Sequence, residues 1–378
     1  MKIATRLCVA AIATASLIGA GATAANADTV AADAPNARPV GTVLVQTDGL
    51  TGNAIVSYDR LPDGTLRQAG TYPTGGLGVA LGGSVVDHLA SQSSLAADGN
   101  AVFAVNGGSN TITSFLQFGD RLIQRQVIGS NGEAPVSIAA HGARVFVLNA
   151  RGGGSIQGFL NLGGHLISVP AWHRALGLNP NATPEFTSTP AQIAFTPDGS
   201  KLVIATKGGT SSFDVFTMNL LGPSQLPVVT SLPGAVPFGF QFDAAGRLVT
   251  SEAGTNSVAS FTVNSDGSLT KISEQATGQK ATCWLVIDGQ FVYASNAGSG
   301  TLSGYQLGQD GALTALGTTP TDAGTVDAAV SRDGQYLYVQ TGAAGNVDEF
   351  RVAPNGSLQS IGTVTVPGAV GGEGIVAN

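Results

Sequence analysis

Residues Val236–Glu274 read VPFGFQFDAAGRLVTSEAGTNSVASFTVNSDGSLTKISE. Apolar and polar residues alternate over Phe238–Phe242, Arg247–Ser251, Ser257–Val263 and Ser268–Ile272. Ala245-Gly246, Ala253-Gly254-Thr255-Asn256 and Asp266-Gly267 separate the four runs. A period of two turns one face of each run toward a core, and glycine in the breaks permits the backbone of tight turns. The stretch therefore predicts a four-stranded antiparallel meander. One such sheet cannot cover both of its own faces, so it needs copies of itself on either side.

The copies are in the sequence. The aromatic of the third run recurs as Tyr58, Phe115, Phe159, Phe216, Phe261, Tyr305 and Phe350, with gaps of 57, 44, 57, 45, 44 and 45 residues. Four strands repeated about every 40–45 residues is the spacing of a propeller blade. The expected fold is all-β, a seven-bladed β-propeller of four-stranded antiparallel blades. A helical solenoid of similar period would show 3.6-residue spacing and few glycines, whereas this chain has 53. Blade 1 lacks its fourth strand. The terminal run Gly374-Ile375-Val376-Ala377 is expected to supply it, closing the ring and removing two sheet edges.

The chain begins as an export signal does. Lys2 and Arg6 precede the apolar Leu7–Ile18, and Ala25-Asn26-Ala27 fits a small-residue cleavage site. We expect residues 1–27 to be a signal peptide, 28–40 a disordered Ala/Pro-rich lead-in, and 41–378 a single propeller domain. The protein would be secreted, with a mature start at Asp28. No later stretch reaches the roughly 18 apolar residues of a membrane span. The net charge of −7, or −9 without Lys2 and Arg6, argues against nucleic acid and anionic membranes as partners. Cys283 is the only cysteine left after cleavage, so a disulfide within the mature chain is excluded. Four scattered histidines give no metal constellation, and no cofactor is expected. The expected state is a monomer.

Strand direction sorts the loops. The Asp-Gly and related turns, including Asp198-Gly199, Asp288-Gly289 and Asp333-Gly334, fall on one face of the disc and are structural. The loops between second and third strands fall on the other face, around the channel mouth. There the sequence places Glu252, Lys207 and Arg151. The two long connectors, Gly75–Ala90 with Asp87 and His88 and Ala171–Thr189 with His173 and Arg174, are expected on the same face. Glu252 ends an apolar strand and should point near the axis, which makes it the candidate acid/base. Lys207, Arg151, His173 and Arg174 are candidate substrate-binding groups. Trp284, near the start of an inner strand, could stack a sugar or aromatic ligand, with core packing as its alternative. Asn106, Asn149 and Asn296 are expected to cap their own loops.

Pro197-Asp198-Gly199-Ser200-Lys201-Leu202 and Asp333-Gly334-Gln335-Tyr336-Leu337-Tyr338-Val339 resemble the inner hairpins of lactonase-type seven-bladed propellers. That family includes 6-phosphogluconolactonases and carboxymuconate-lactonizing enzymes. Asn296–Leu302 and Ser251-Glu252 are similar to its second-to-third-strand loops. The resemblance implies a small lactone or muconate-like acid as substrate, with Glu252 and Lys207 matching family positions. Pro237-Phe238-Gly239 stands where the family has Pro-Arg-His, Thr189-Pro190-Ala191 where it has His-Pro-His, and Ala297 where it has Arg. Two functional classes follow. One is a secreted hydrolase or cyclase that acts on such a lactone at the channel mouth. The other is a noncatalytic propeller that holds a small ligand, a glycan or a protein on the same face.

Overall fold

In the computed structural model, which describes residues 37–378, seven antiparallel sheets follow one another along the chain. The stretch that decided the fold forms Pro237–Phe242, Leu248–Glu252, Ser257–Val263 and Leu269–Ala276, hydrogen-bonded in that order from the axis outward. Its first turn is made by Asp243, whose Oδ1 accepts the N–H of Ala245 (3.0 Å) and Arg247 (2.8 Å), while Gly246 takes φ +78°. That geometry needs a short carboxylate and a residue without Cβ, which explains the recurring Asp and Gly.

The remaining blades repeat this plan, and the ring closes as expected. Ile375–Ala377 pairs antiparallel with Gly41–Gln46, aligning Val43 with Ala377 and Val45 with Ile375. Blade 1 is therefore assembled from both ends of Pro39–Asn378, the compact unit that holds all seven sheets. The signal peptide and most of the lead-in lie outside the described residues. Among the described residues no helix is long and apolar enough to cross a membrane.

The seven aromatics that counted the blades are each 2% exposed or less. They sit between facing sheets, where each contributes about 1.5–3 kcal/mol of apolar burial. In five blades the third strand slips register against the fourth at the residue before the aromatic, as at Ser260/Phe261 and Gly304/Tyr305. This bulge adds twist to the outer edge.

A second set of bulges bears on function. The inner strands of blades 3 to 7 slip at their channel-mouth ends, at Pro135/Ser137, Pro190/Gln192, Pro237/Phe240, Thr282/Trp284 and Thr325/Ala328. A bulge leaves backbone groups without a ladder partner. Those groups point toward the axis and must be satisfied by something other than the sheet.

Candidate functional site at the channel mouth

The connector after blade 1 meets that need in blades 3 and 4, while in blades 5 and 6 Ser251 Oγ donates to Gly239 O and Cys283 O. Residues 87–94 cross the mouth of the channel and bond to the bulged strands. Gln92 N–H donates to Ala191 O (3.1 Å), Ser91 Oγ to Val136 O (2.8 Å), and Ile138 N–H to Ser93 O (2.9 Å). The Gln92 amide spans the axis, with Nε2 donating to Leu285 O (2.7 Å) and Oε1 accepting Leu285 N–H. Asp87 shapes the crossing by accepting the N–H of Leu89 (2.7 Å) and Ser91 (2.9 Å). Two glycines admit it. A Cβ on Gly239 would fall 1.8 Å from Gln92 Oε1, and one on Gly342 would fall 1.8 Å from Val86 O. The segment is a plug of the channel mouth.

Two of the sequence-predicted residues hold this plug. Lys207 follows the second strand of blade 4, is buried, and places Nζ 2.5 Å from Ala90 O and over the Phe238 ring. Trp284 donates Nε1–H to Ser91 O (2.5 Å) and meets Phe238 edge to face at 4.9 Å. Burial pulls the Lys207 ammonium down to about 7 against the attraction of Asp87. Burial raises Asp87 to about 6, opposed by backbone N–H groups of Ser91, Leu89 and Ala90 and by Lys207.

Glu252 lies elsewhere, and its expected direction toward the axis is corrected. Its Oε2 accepts Ser257 Oγ–H (2.9 Å) on the third strand, and Lys271 Nζ of the outermost strand lies 3.2 Å from Oε1. This is the place that Asn106 and Asn296 hold in blades 2 and 6, donating to Thr111 and Thr113 and to Thr301 and Ser303. Register explains it, since Glu252 pairs with Ser257 as Asn106 pairs with Thr111 and Asn296 with Thr301. Glu252 caps its hairpin between blades, and burial raises its pKa.

Arg151 and Glu185 form a bidentate pair at 2.6 and 3.2 Å, and Glu185 Oε2 also accepts Gly82 N–H (2.6 Å). The pair thus ties the two long connectors together, beside a cleft of about 360 Å³ that includes Glu133, Asn179 and Ser188. Arg174 and His173 lie at the outer edge of blade 3, level with the start of its third strand, so they are near this face but away from the axis. Arg174 donates to the carbonyls of Ser224, Pro223, Ala171 and His173, and Arg174–Ala175 pairs with the third strand of blade 3. That half of the connector is sheet edge, and the residues after it bond to the loop of this face, Leu176 and Leu178 N–H donating to Gly154 O and Gly153 O, before the connector continues toward Glu185. His88 is part of the plug, with its N–H donating to Gly371 O (2.8 Å) and its ring against Gly371.

The sequence reading missed a group of acids at the axis. Asp48, Asp327 and Glu373 are buried near Asp87, and Asp48 Oδ2 accepts Glu373 N–H (2.8 Å). Burial raises Asp48 to about 8 and Asp327 to about 7, and it raises Glu373 as well. One signal was available: Gln46-Thr47-Asp48 aligns with Gln340-Thr341-Gly342, so Asp48 occupies the position after the hairpin cap, as Lys207 does. Among the described residues no three His, Cys, Asp or Glu side chains are spaced to hold a metal ion.

The sequence profile described as lactonase, 7-bladed beta-propeller, matches residues 174–286 and 284–371. The chain belongs to that family. Among curated proteins no sequence match is found. Solved structures share the fold at low identity. A candidate 6-phosphogluconolactonase from Bacteroides fragilis superposes with TM-score 0.68 at 20% identity, covering 89% of this chain and 97% of the other. A second, from Bacteroides uniformis, gives 0.72 at 17% over 89% and 99%. The periplasmic gluconolactonase of Pseudomonas aeruginosa gives 0.71 at 18% over 89% and 98%.

The axial acids predict an unusual pH response. Their folded pKa values lie above those of the unfolded chain, so from about pH 4.5 upward the folded state holds protons that the unfolded state has lost. Stability contributed by these groups is full below the unfolded pKa and is lost as pH rises through 6 to 8. Lys207, depressed to about 7, opposes this trend only above pH 7. Urea unfolding should therefore give a midpoint that falls between pH 5 and pH 8, and the fall should be smaller in Asp48→Asn. A midpoint that rises over this range would contradict the burial of these groups.

Proposed function

We propose that this chain is a binding member of the lactonase propellers, holding a small polyhydroxy molecule or glycan on the channel-mouth face without opening lactones through Glu252. One observation carries the reading. Lys207 and Trp284 direct their donors at the backbone of Ala90 and Ser91, and Glu252 is engaged by Ser257 and Lys271. Lactone opening requires a base within reach of water or substrate, and donors aimed at the developing oxyanion. In this chain the corresponding groups face protein. The cleft beside Arg151 is the ligand position in this reading, because Glu133, Asn179 and Ser188 bring acceptors and donors for hydroxyl groups to one concave surface. Export belongs to the same proposal, and an exported chain whose intact mass begins at Asp28 is its check.

A second reading has its own support. Burial brings Asp87 up to about 6 and Lys207 down to about 7, so both titrate close to neutrality. If residues 89–93 lifted, Lys207 would leave Ala90 O, Asp87 would leave the amides of Leu89 and Ser91, and both would face a lactone.

A pH-indicator assay on sugar and muconate-type lactones separates the readings, using wild type, Lys207→Met and Glu252→Gln. The binding reading predicts that all three leave the blank rate unchanged, while sugars raise the wild-type melting temperature. Turnover lost in Lys207→Met and kept in Glu252→Gln would establish the second reading. Turnover lost in Glu252→Gln would overturn the hairpin-cap role.

A further inference from the structure

Away from the channel, exposed apolar side chains gather on one stretch of the outer rim. The turn between third and fourth strands carries Phe118 in blade 2, Leu162 in blade 3 and Leu220-Leu221 in blade 4, exposed by 54, 58, 94 and 86%. In blades 1, 5, 6 and 7 the same turn carries Asp63-Gly64, Asp266-Gly267, Asp310-Gly311 and Asn355-Gly356. Ile123 and Ile167 join the strip from the fourth strands of blades 2 and 3, and Leu226 from the insertion after the blade 4 turn. Contacts between blades make the strip continuous. Leu116, the cross-strand partner of Ile123, lies with Arg125 against Gly164 of the blade 3 turn. Trp172, which follows the fourth strand of blade 3, donates Nε1–H to Leu221 O (2.7 Å). Apolar surface gathered in this way marks a contact with protein or membrane.

Two properties of the strip select its partner. The first is that the blade 4 loop satisfies its backbone from within the protein. Leu221 N–H donates to Asn219 Oδ1 (2.7 Å), Ser224 N–H to Thr217 O (2.8 Å), and Ser224 Oγ to Leu226 O (2.8 Å). The Arg174 guanidinium donates to Pro223 O and Ser224 O, while Pro223 and Pro227 have no N–H to place. Such a loop presents leucine side chains with its polar backbone already paired, as entry into hydrocarbon requires. A partner that added a strand would need open backbone groups instead. The second property is charge. Blades 2 to 4, residues 95–231, carry seven Lys and Arg against six Asp and Glu, whereas residues 39–94 and 232–378 carry seven against sixteen. The acidity that weighs against an anionic surface for the whole chain thus belongs to the other side of the ring. Beside the strip Arg121, Arg125 and His165 are exposed, and Asp120 lines the groove toward blade 1 together with Asp59. Cations flanking exposed leucine and phenylalanine suit the headgroup layer of a membrane.

We propose that the outer rim of blades 2 to 4 docks on a lipid bilayer bearing anionic headgroups, with Phe118, Leu220 and Leu221 at the acyl boundary and Arg121 and Arg125 against the headgroups. The strip shares no residue with the cleft beside Arg151 or with the plug, so lactone and sugar experiments neither support nor undermine it.

Vesicle co-sedimentation tests this with the chain from Asp28, which omits the apolar Leu7–Ile18 and keeps all seven sheets. Vesicles of phosphatidylcholine with about 30% phosphatidylglycerol are compared with phosphatidylcholine alone. We expect binding to the anionic vesicles to be at least about tenfold stronger, and to weaken about tenfold when salt rises from about 0.1 to about 0.5 M. Leu220→Ser/Leu221→Ser should lose at least about tenfold on the anionic vesicles, and Arg121→Gln/Arg125→Gln should remove most of their advantage over phosphatidylcholine. All four side chains are exposed, so both variants should keep the wild-type melting temperature. The two wild-type arms need no variant, so the test survives a variant that folds poorly. No binding up to about 1 mM lipid would overturn the proposal, as would equal binding to both vesicle types. Binding left intact in Leu220→Ser/Leu221→Ser would overturn it too. So would a dimer, seen by sedimentation of the protein alone, that Leu220→Ser/Leu221→Ser dissociates, since a second copy would then cover the strip.

Discussion

The organisation of the channel mouth depends on residues 89–93 completing hydrogen bonds that the inner strands of blades 3 and 4 cannot complete among themselves. Propeller blades converge on the axis, and here their innermost strands bulge where they reach the mouth. Bulging frees Val136 O and Ala191 O, and the plug supplies Ser91 Oγ–H and Gln92 N–H to them. A buried carbonyl left without a donor costs about 1–3 kcal/mol, so filling the mouth with peptide is favoured over leaving it bare. The plug then settles the surroundings: Lys207 and Trp284 turn to it, Gly239 and Gly342 make room, and four carboxyl groups are enclosed beneath or beside it.

This arrangement relates the chain to its family in physical terms. Lactonase propellers are one scaffold with adjustable loops, and the chain keeps the scaffold in full. At the starts of the inner strands it has Phe238, Gly239 and Ala191. Gly239 and Ala191 are the residues against which the Gln92 side chain and backbone pack. A bulkier or charged residue at position 239 would collide with Gln92. The sequence departures at this mouth and the presence of the plug are thus two aspects of one packing solution.

Much of the fold was legible because it repeats. Alternation gave the strands, glycine and aspartate gave the turns, the spaced aromatics gave the blade count, and the unpaired terminal run gave the closure. The site was less legible, because its determinants do not repeat. Asp87 lies in a segment that has no counterpart in other blades, so periodicity carries no information about it. Glu252 was misdirected for a different reason. Its position is the one held by Asn106 and Asn296, and reading it by residue type rather than by register sent it to the axis. Register alone would have placed Asp48 and Lys207 there instead.

The plug is part of the folded core rather than a lid resting on it. Hydrogen exchange of the backbone amides of Leu89, Ser91 and Gln92 measures this directly. These amides donate to Asp87 Oδ1, Asp87 Oδ2 and Ala191 O. They should exchange as slowly as the amides of the inner strands, opening only with the ring itself. Exchange as fast as that of the exposed Leu220-Leu221 turn would show a segment that lifts freely, and would contradict the account.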